Sequence, residues 1–284
     1  MSEVSVPEDQ DGICRTVGTG ERLFGPRMQT TMSRSLPPEI VDHIVDYLHN
    51  EPATLKSCCV VSKSWIPRTR KYLFAHVEFH TSRSNIELWK KTFPDPSNSP
   101  AHHTHSLSIC GIPVVTPADA GVGGWIHTFH NVIHLRLERL GEEDHRASLI
   151  PFYGFSPTVR SLSLASTSLE VFDLVCSFPL LEDLALISLH PDTEADDGEW
   201  VTPSTSPKLT GSLYLKTIWE VRSVTRRLCA LPDGLSFTGI TAAFTIGDTD
   251  PIMDLVSRCY HTLEYLNINC FLLYGALSPV SLIG

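Results

Sequence analysis

The sequence predicts an α/β fold in which a small helical segment precedes a long array of strand-and-return units stacked on a parallel sheet. Three observations predict it. From Leu107 onward an apolar-x-apolar strand pattern recurs at spacings mostly in the twenties. Between several of those strands lie stretches whose apolar residues have helical spacing. Ahead of the array, Ile40, Val41, Ile44, Val45 and Leu48 form one apolar stripe of helical period behind Pro37 and Pro38.

Taken in chain order, Met1 to Arg34 mixes Gly, Thr, Glu and Arg without periodicity, the composition of a disordered arm. Pro37 and Pro38 suit a first helical turn, where an amide donor has no partner anyway. The stripe from Ile40 to Leu48 then makes a helix whose polar face carries Asp42, His43 and Asp46. Asn50-Glu51-Pro52 ends it, and a second helix begins near Ala53 or Thr54. Leu55-x-x-Cys58-x-x-Val61-Ser62-Lys63-Ser64-Trp65 follows. Two or three helices in roughly forty residues are too few for a sizeable core. Such a unit completes itself by packing against something else.

The order Leu36-Pro37, apolar helix, short turn, Leu55, then Val61-Ser62-x-x-Trp65 resembles the F-box, the helical motif that docks on the Skp-type adaptor of cullin–RING ubiquitin ligases. The resemblance covers Leu36 to Leu73 and continues through Val77-Glu78-Phe79. It departs from the usual pattern at Cys58-Cys59 and at Pro67, which shortens or restarts the last helix. What it implies is a mainly hydrophobic adaptor contact with Leu36, Pro37, Ile40, Ile44, Leu48, Val61 and Trp65 as candidates. Some of these seven must instead hold the motif's own small core.

Val77 and Phe79 alternate as in a short strand, and Ser84-Asn85-Ile86-Glu87 has the form of a capping box opening a helix to Phe93. The run from Pro94 to Pro100 is a loop. Then come Leu107-Ser108-Ile109, Leu135-Arg136-Leu137, Leu162-Ser163-Leu164, Leu184-Ala185-Leu186, Leu213-Tyr214-Leu215 and Leu266-Asn267-Ile268. Their first leucines are separated by 28, 27, 22, 29 and 53 residues, so a further strand belongs near Ile240-Thr241-Ala242-Ala243-Phe244. Strands are expected near 108, 136, 163, 185, 214, 242 and 267, with Leu135, Leu162, Leu184 and Leu266 buried. Val122 to Phe129, Leu169 to Phe178 and Met253 to Tyr260 read as helical returns. The pattern resembles leucine-rich repeats in an irregular form, which implies a solenoid whose neighbouring units cover one another. The end of the chain, Phe271 to Gly284, has no charged residue, an odd composition for a solenoid cap, and is expected to be the weakest and stickiest edge.

Composition narrows the function. A net charge of −10 argues against a nucleic-acid protein, which would carry a basic stripe. An apolar content of 42% supports a real core. No apolar run reaches the 18 or more residues of a membrane span, and no apolar stretch opens the chain as a secretory signal does. The eight cysteines include no Cys-x-x-Cys pair. An intracellular location, cytoplasm or nucleus, is therefore expected.

Chemistry-bearing patterns are sparse. His127, His130 and His134 lack the acidic partner of the zinc-protease arrangement, and His102, His103 and His105 read as a solvated loop cluster. Gly121-x-Gly123-Gly124 lacks a phosphate-binding lysine. Five acids between Asp192 and Glu199, and Arg222, Arg226 and Arg227, read as solvated patches of opposite sign. No catalytic residue, metal or cofactor is expected.

The chain thus divides into a disordered arm at 1–34, an F-box-like helical domain at 35–80 and a leucine-rich-repeat-like solenoid at 81–284. The resemblance implies a non-enzymatic, fungal-type F-box adaptor. It would bind a Skp-type protein, and through it cullin, and present a protein substrate. The alternative is a repeat scaffold unrelated to ubiquitin.

Overall fold

Alternating apolar residues from Val77 onward do build strands, and the strands form a single sheet. The structure is a computed structural model that describes residues 36–80, 85–111, 126, 128–140, 150–155, 157–190, 204–216, 221–245 and 249–271. Residues 1–37 group apart from a compact body spanning 38–284, and of that first group only Leu36 and Pro37 are described, both exposed.

Three helices open the body: α1 (Pro38–Tyr47), α2 (Pro52–Val61) and α3 (Ile66–Leu73), with a 3-10 turn at Lys63–Trp65 before the last. Prolines sit in the first turns of α2 and α3, where no amide bond is lost. Pro67 therefore restarts the chain as a new helix after the 3-10 turn. Val41, Val45 and Leu55 make a small buried cluster, with Leu48, Trp65, Tyr72 and Leu73 packed against it.

Eight strands follow: β1 (His76–His80), β2 (Ser106–Cys110), β3 (His134–Glu138), β4 (Ser161–Ala165), β5 (Asp183–Ile187), β6 (Ser212–Lys216), β7 (Gly239–Thr245) and β8 (Tyr265–Phe271). Each pairs with its sequence neighbour, every pair is parallel, and the spatial order is the chain order. Parallel neighbours need a crossover between them. The described crossovers include α4 (Asn85–Thr92), a 3-10 turn at Leu169–Phe172 running into α5 (Asp173–Ser177), α6 (Val221–Cys229) and α7 (Thr249–Cys259). β7 fills the long gap between Leu213 and Leu266, where the spacing requires a strand. β1 lies in the sheet, although the sequence partition groups 76–80 with the helices.

The core lies between the sheet and its returns. Leu107, Leu135, Leu162, Leu184, Leu213 and Ile240 occupy one register row, all buried. Phe129, Phe152, Phe172, Phe178, Phe237 and Phe244 are fully buried. Each contributes about 1.5–3 kcal/mol relative to exposure. One expectation fails here: Leu266 continues the same row but is 44% exposed. Among the described residues no element follows β8, so Leu266 is covered from one side only.

Two hydrogen-bond ladders repeat with the strands. At the strand entries, the carbonyls of Ala75, His105, Ile133 and Arg160 each accept two successive amides, those of His105 and Ser106, Ile133 and His134, Arg160 and Ser161, and Glu182 and Asp183. At the exits of β2 to β5, Gly111, Arg139, Ser166 and Ser188 all have positive φ, between 49° and 67°. Each donates its amide to the last residue of the next strand, Glu138, Ala165, Ile187 and Lys216 respectively. Three of the four are not glycine, so the chain bears a strain of about 1–2 kcal/mol at each to keep the ladder.

The entry ladder changes partner once. Ser212 donates its amide to Asp183 Oδ1 at 2.7 Å instead of to a backbone carbonyl. The carboxylate fits because residue 211 is glycine: a methyl there would overlap Asp183 Oδ1 and stand 3.0 Å from the Glu182 carbonyl. Gly211→Ala is expected to destabilise the fold by about 1–3 kcal/mol. Adding Asp183→Ala should relieve part of that loss, a non-additivity that a double-mutant cycle in denaturant measures.

Candidate docking surface

The apolar residues of α1 cover more of the helix than its own packing uses. At roughly 100° per residue they span about 160° of the circumference. Val41, Val45 and Leu48 turn inward on one half of that arc. Ile40, Ile44 and Tyr47, at i, i+4 and i+7, occupy the other half and are exposed. Ile44 is 36% exposed and Tyr47 87%, whereas the adjacent Val45 is fully buried. At the C-terminal end of α2, Val60 and Val61 are exposed as well. Exposed apolar side chains grouped on one helix face mark a binding surface more often than isolated ones do.

The seven candidates divide accordingly. Ile40, Ile44 and Val61 are exposed on the body, and Leu36 and Pro37 are exposed in the first group. Leu48 and Trp65 are half-buried against the small cluster. Tyr47 and Val60 complete the outward apolar set without having been singled out in the sequence. The signal for Tyr47 was its i+7 offset from Ile40.

The helices are held in place from the polar side. Arg68 on α3 grips Asp46 on α1 with both arms of its guanidinium, Nε to Oδ1 at 2.7 Å and Nη2 to Oδ2 at 2.6 Å. Tyr72 donates its hydroxyl to Asp46 Oδ1 at 2.8 Å. Cys59 Sγ on α2 lies 3.0 Å from the buried Thr69 Oγ1 on α3. A planar fork on a carboxylate fixes orientation as well as distance. α1 is thereby presented at a set rotation, with its second apolar half outward.

The Arg68 fork, and next the Tyr72 hydroxyl, pull the Asp46 pKa from its ordinary 3.8 down to about 2. An acid whose folded pKa is depressed stabilises fully above its unfolded value, and that contribution is lost as pH falls through the folded one. The α1–α3 contact should therefore loosen between about pH 4 and pH 2. Amide exchange followed in α1 checks this, and Asp46→Asn should remove the pH dependence in that window.

The helices join the sheet through backbone and aromatic contacts. Thr104 Oγ1 donates to the Phe74 carbonyl at 2.8 Å, beside the Ala75 rung of the entry ladder. Trp89 of α4 meets Phe74, Phe79, Phe93 and Phe129 with ring centroids 4.8–5.8 Å apart.

The sheet's second face has a different character. Along it Ser108, Arg136, Ser163, Ala185, Tyr214 and Thr241 stand in one register row. None of them is buried.

No catalytic constellation forms among the described residues. His130 lies in a turn and His134 starts β3, so they share no helix, and His127 lies outside the described residues. His102 Nδ1 is 2.9 Å from the Ser99 carbonyl, and burial first, then neighbouring cations and histidines, lowers the His103 pKa. No group of three or more His, Cys, Asp or Glu that could hold a metal occurs among the described residues. Cys58, Cys59, Cys176, Cys229, Cys259 and Cys270 are free thiols. Burial pushes the Cys176 and Cys229 thiols up to about 11, which keeps them protonated and poor nucleophiles. No described helix is long and apolar enough to cross a membrane. The glycines at 121–124, the acidic run at 192–199 and the chain end at 272–284 lie outside the described residues.

Searches against protein-family profiles and curated proteins found no match to this chain.

Proposed function

We propose that this chain is the substrate-recognition subunit of an SCF-type cullin–RING ubiquitin ligase: an F-box segment at 36–73 followed by a divergent leucine-rich-repeat solenoid. The observation that carries the reading is the outward apolar half of α1, Ile40, Ile44 and Tyr47, on a helical unit too small to have an interior for them. Together with Val60 and Val61 they form the contact for a Skp-type adaptor. Leu48 and Trp65 act by holding the small cluster that presents α1.

Eight parallel strands in chain order, with a left-handed residue after each of β2 to β5, support the solenoid half of the reading. Its uncovered sheet face receives the protein substrate. In this role the chain needs no reacting group of its own. It works by proximity, raising the effective concentration of a substrate lysine near the activated ubiquitin. The site of action is then the cytoplasm or nucleus.

Co-expression with a Skp-type adaptor tests the proposal. A stoichiometric complex that survives size-exclusion chromatography is the expected result. A folded chain that captures no adaptor contradicts it and favours a repeat scaffold unrelated to ubiquitin.

A further inference from the structure

Away from both surfaces, α6 and α7 flank an open groove of about 470 Å³ on the helical side of the sheet, lined by Arg222, Thr225, Arg226, Asp254 and Arg258 among others. Three arginines against one aspartate leave it a formal charge of +2 in a chain whose net charge is −10. Arg258 is held: its Nη1 donates to the Cys229 carbonyl at 3.1 Å and its Nε lies 3.7 Å from Asp254 Oδ2. Arg222 and Arg226, at i and i+4 on α6, form no ion pair among the described residues. Like charges at that spacing oppose the helix.

Helix stability explains Arg226, which lies in the last turn where a cation suits the macrodipole. It does not explain Arg222. That residue is second in α6, in a first turn with no acid, at the end where a cation is disfavoured. Thr225 contributes no free donor, because its hydroxyl is spent on the Val221 and Arg222 carbonyls at 2.8 and 3.1 Å. What remains is the Arg222 and Arg226 guanidinium groups of α6, which line the same groove as the engaged Arg258 of α7. Guanidinium, planar and weakly hydrated, matches phosphate oxygens in pairs.

We infer that the α6–α7 groove binds a phosphate dianion, either free or as the monoester of a phosphorylated side chain. Asp254 sets the limit on charge by countering one arginine, and the groove's volume leaves room for the group to which the phosphate is attached.

The full-length chain titrated with inorganic phosphate and with O-phosphoserine, followed by phosphorus NMR line width, tests the assignment. Saturable one-site binding is expected. Arg222→Gln with Arg226→Gln should weaken it at least tenfold, the loss of roughly one charge-assisted contact. Arg222→Lys with Arg226→Lys should also weaken it, since charge is kept and the fork is lost. Tighter O-phosphoserine binding identifies the monoester as the source, and tighter inorganic phosphate binding the free ion. All these side chains are exposed, so the variants should keep the wild-type circular dichroism. Absence of saturable binding overturns the inference. So does unchanged affinity in the glutamine variant, or an equal loss in Arg136→Gln on the opposite face.

Discussion

Ile44→Asp and Val45→Asp, one residue apart, should have opposite consequences. Val45 is fully buried in the small cluster with Val41 and Leu55. A carboxylate there loses the apolar burial and finds no cation inside. The expected cost is at least about 3 kcal/mol, enough to melt α1–α3. The sheet's core is a separate cluster and should persist. Ile44 points outward, so its aspartate should cost less than about 1 kcal/mol and leave the helices formed. It should nevertheless abolish capture of a Skp-type adaptor, because it places a charge in a contact that must become dry. Thermal denaturation with amide exchange in α1 separates the two variants, and pull-down with the adaptor gives the second readout. Adaptor binding by a folded Ile44→Asp variant would remove the F-box reading.

The second large effect separates two leucines that look alike in the sequence. Leu164 of β4 is fully buried between neighbouring units, and Leu164→Ala should destabilise the body by about 2–5 kcal/mol through lost burial and a residual cavity. Leu266→Ala, at an exposed position on β8, should cost less than about 1 kcal/mol. Urea denaturation of both variants measures the difference. Equal losses would mean that Leu266 is covered as deeply as the central strands.

That contrast marks how far the sequence can be read. The Leu-x-Leu pattern locates strands well, because period-2 burial leaves a direct trace in residue type. It even places β7 from a doubled gap. The pattern carries no information on whether a unit has a neighbour on both sides, so Leu266 reads as buried. The α6 helix went unread although Val221, Val224 and Leu228 have helical spacing. Its arginines read as a charged patch, and its Val and Thr are weak helix formers. The exit ladder is invisible for another reason: Arg139, Ser166 and Ser188 hold positive φ without being glycine.

In the helical segment, the breadth of the apolar arc on α1 was legible. Its division was not. Which half turns inward depends on the Arg68–Asp46–Tyr72 staple, whose members stand 22 and 26 residues apart and are matched only by folding. The same staple explains why Leu48 and Trp65, apolar and close in sequence to the outward set, lie half-buried against the cluster.

Amide exchange of the chain with and without a Skp-type adaptor decides whether α1 is the docking helix. Exchange should slow only in α1 and the C-terminal end of α2, around Ile40–Tyr47 and Val60–Val61, with β2 to β7 unchanged. No slowing anywhere, or slowing on the open sheet face with α1 unaffected, would contradict that role.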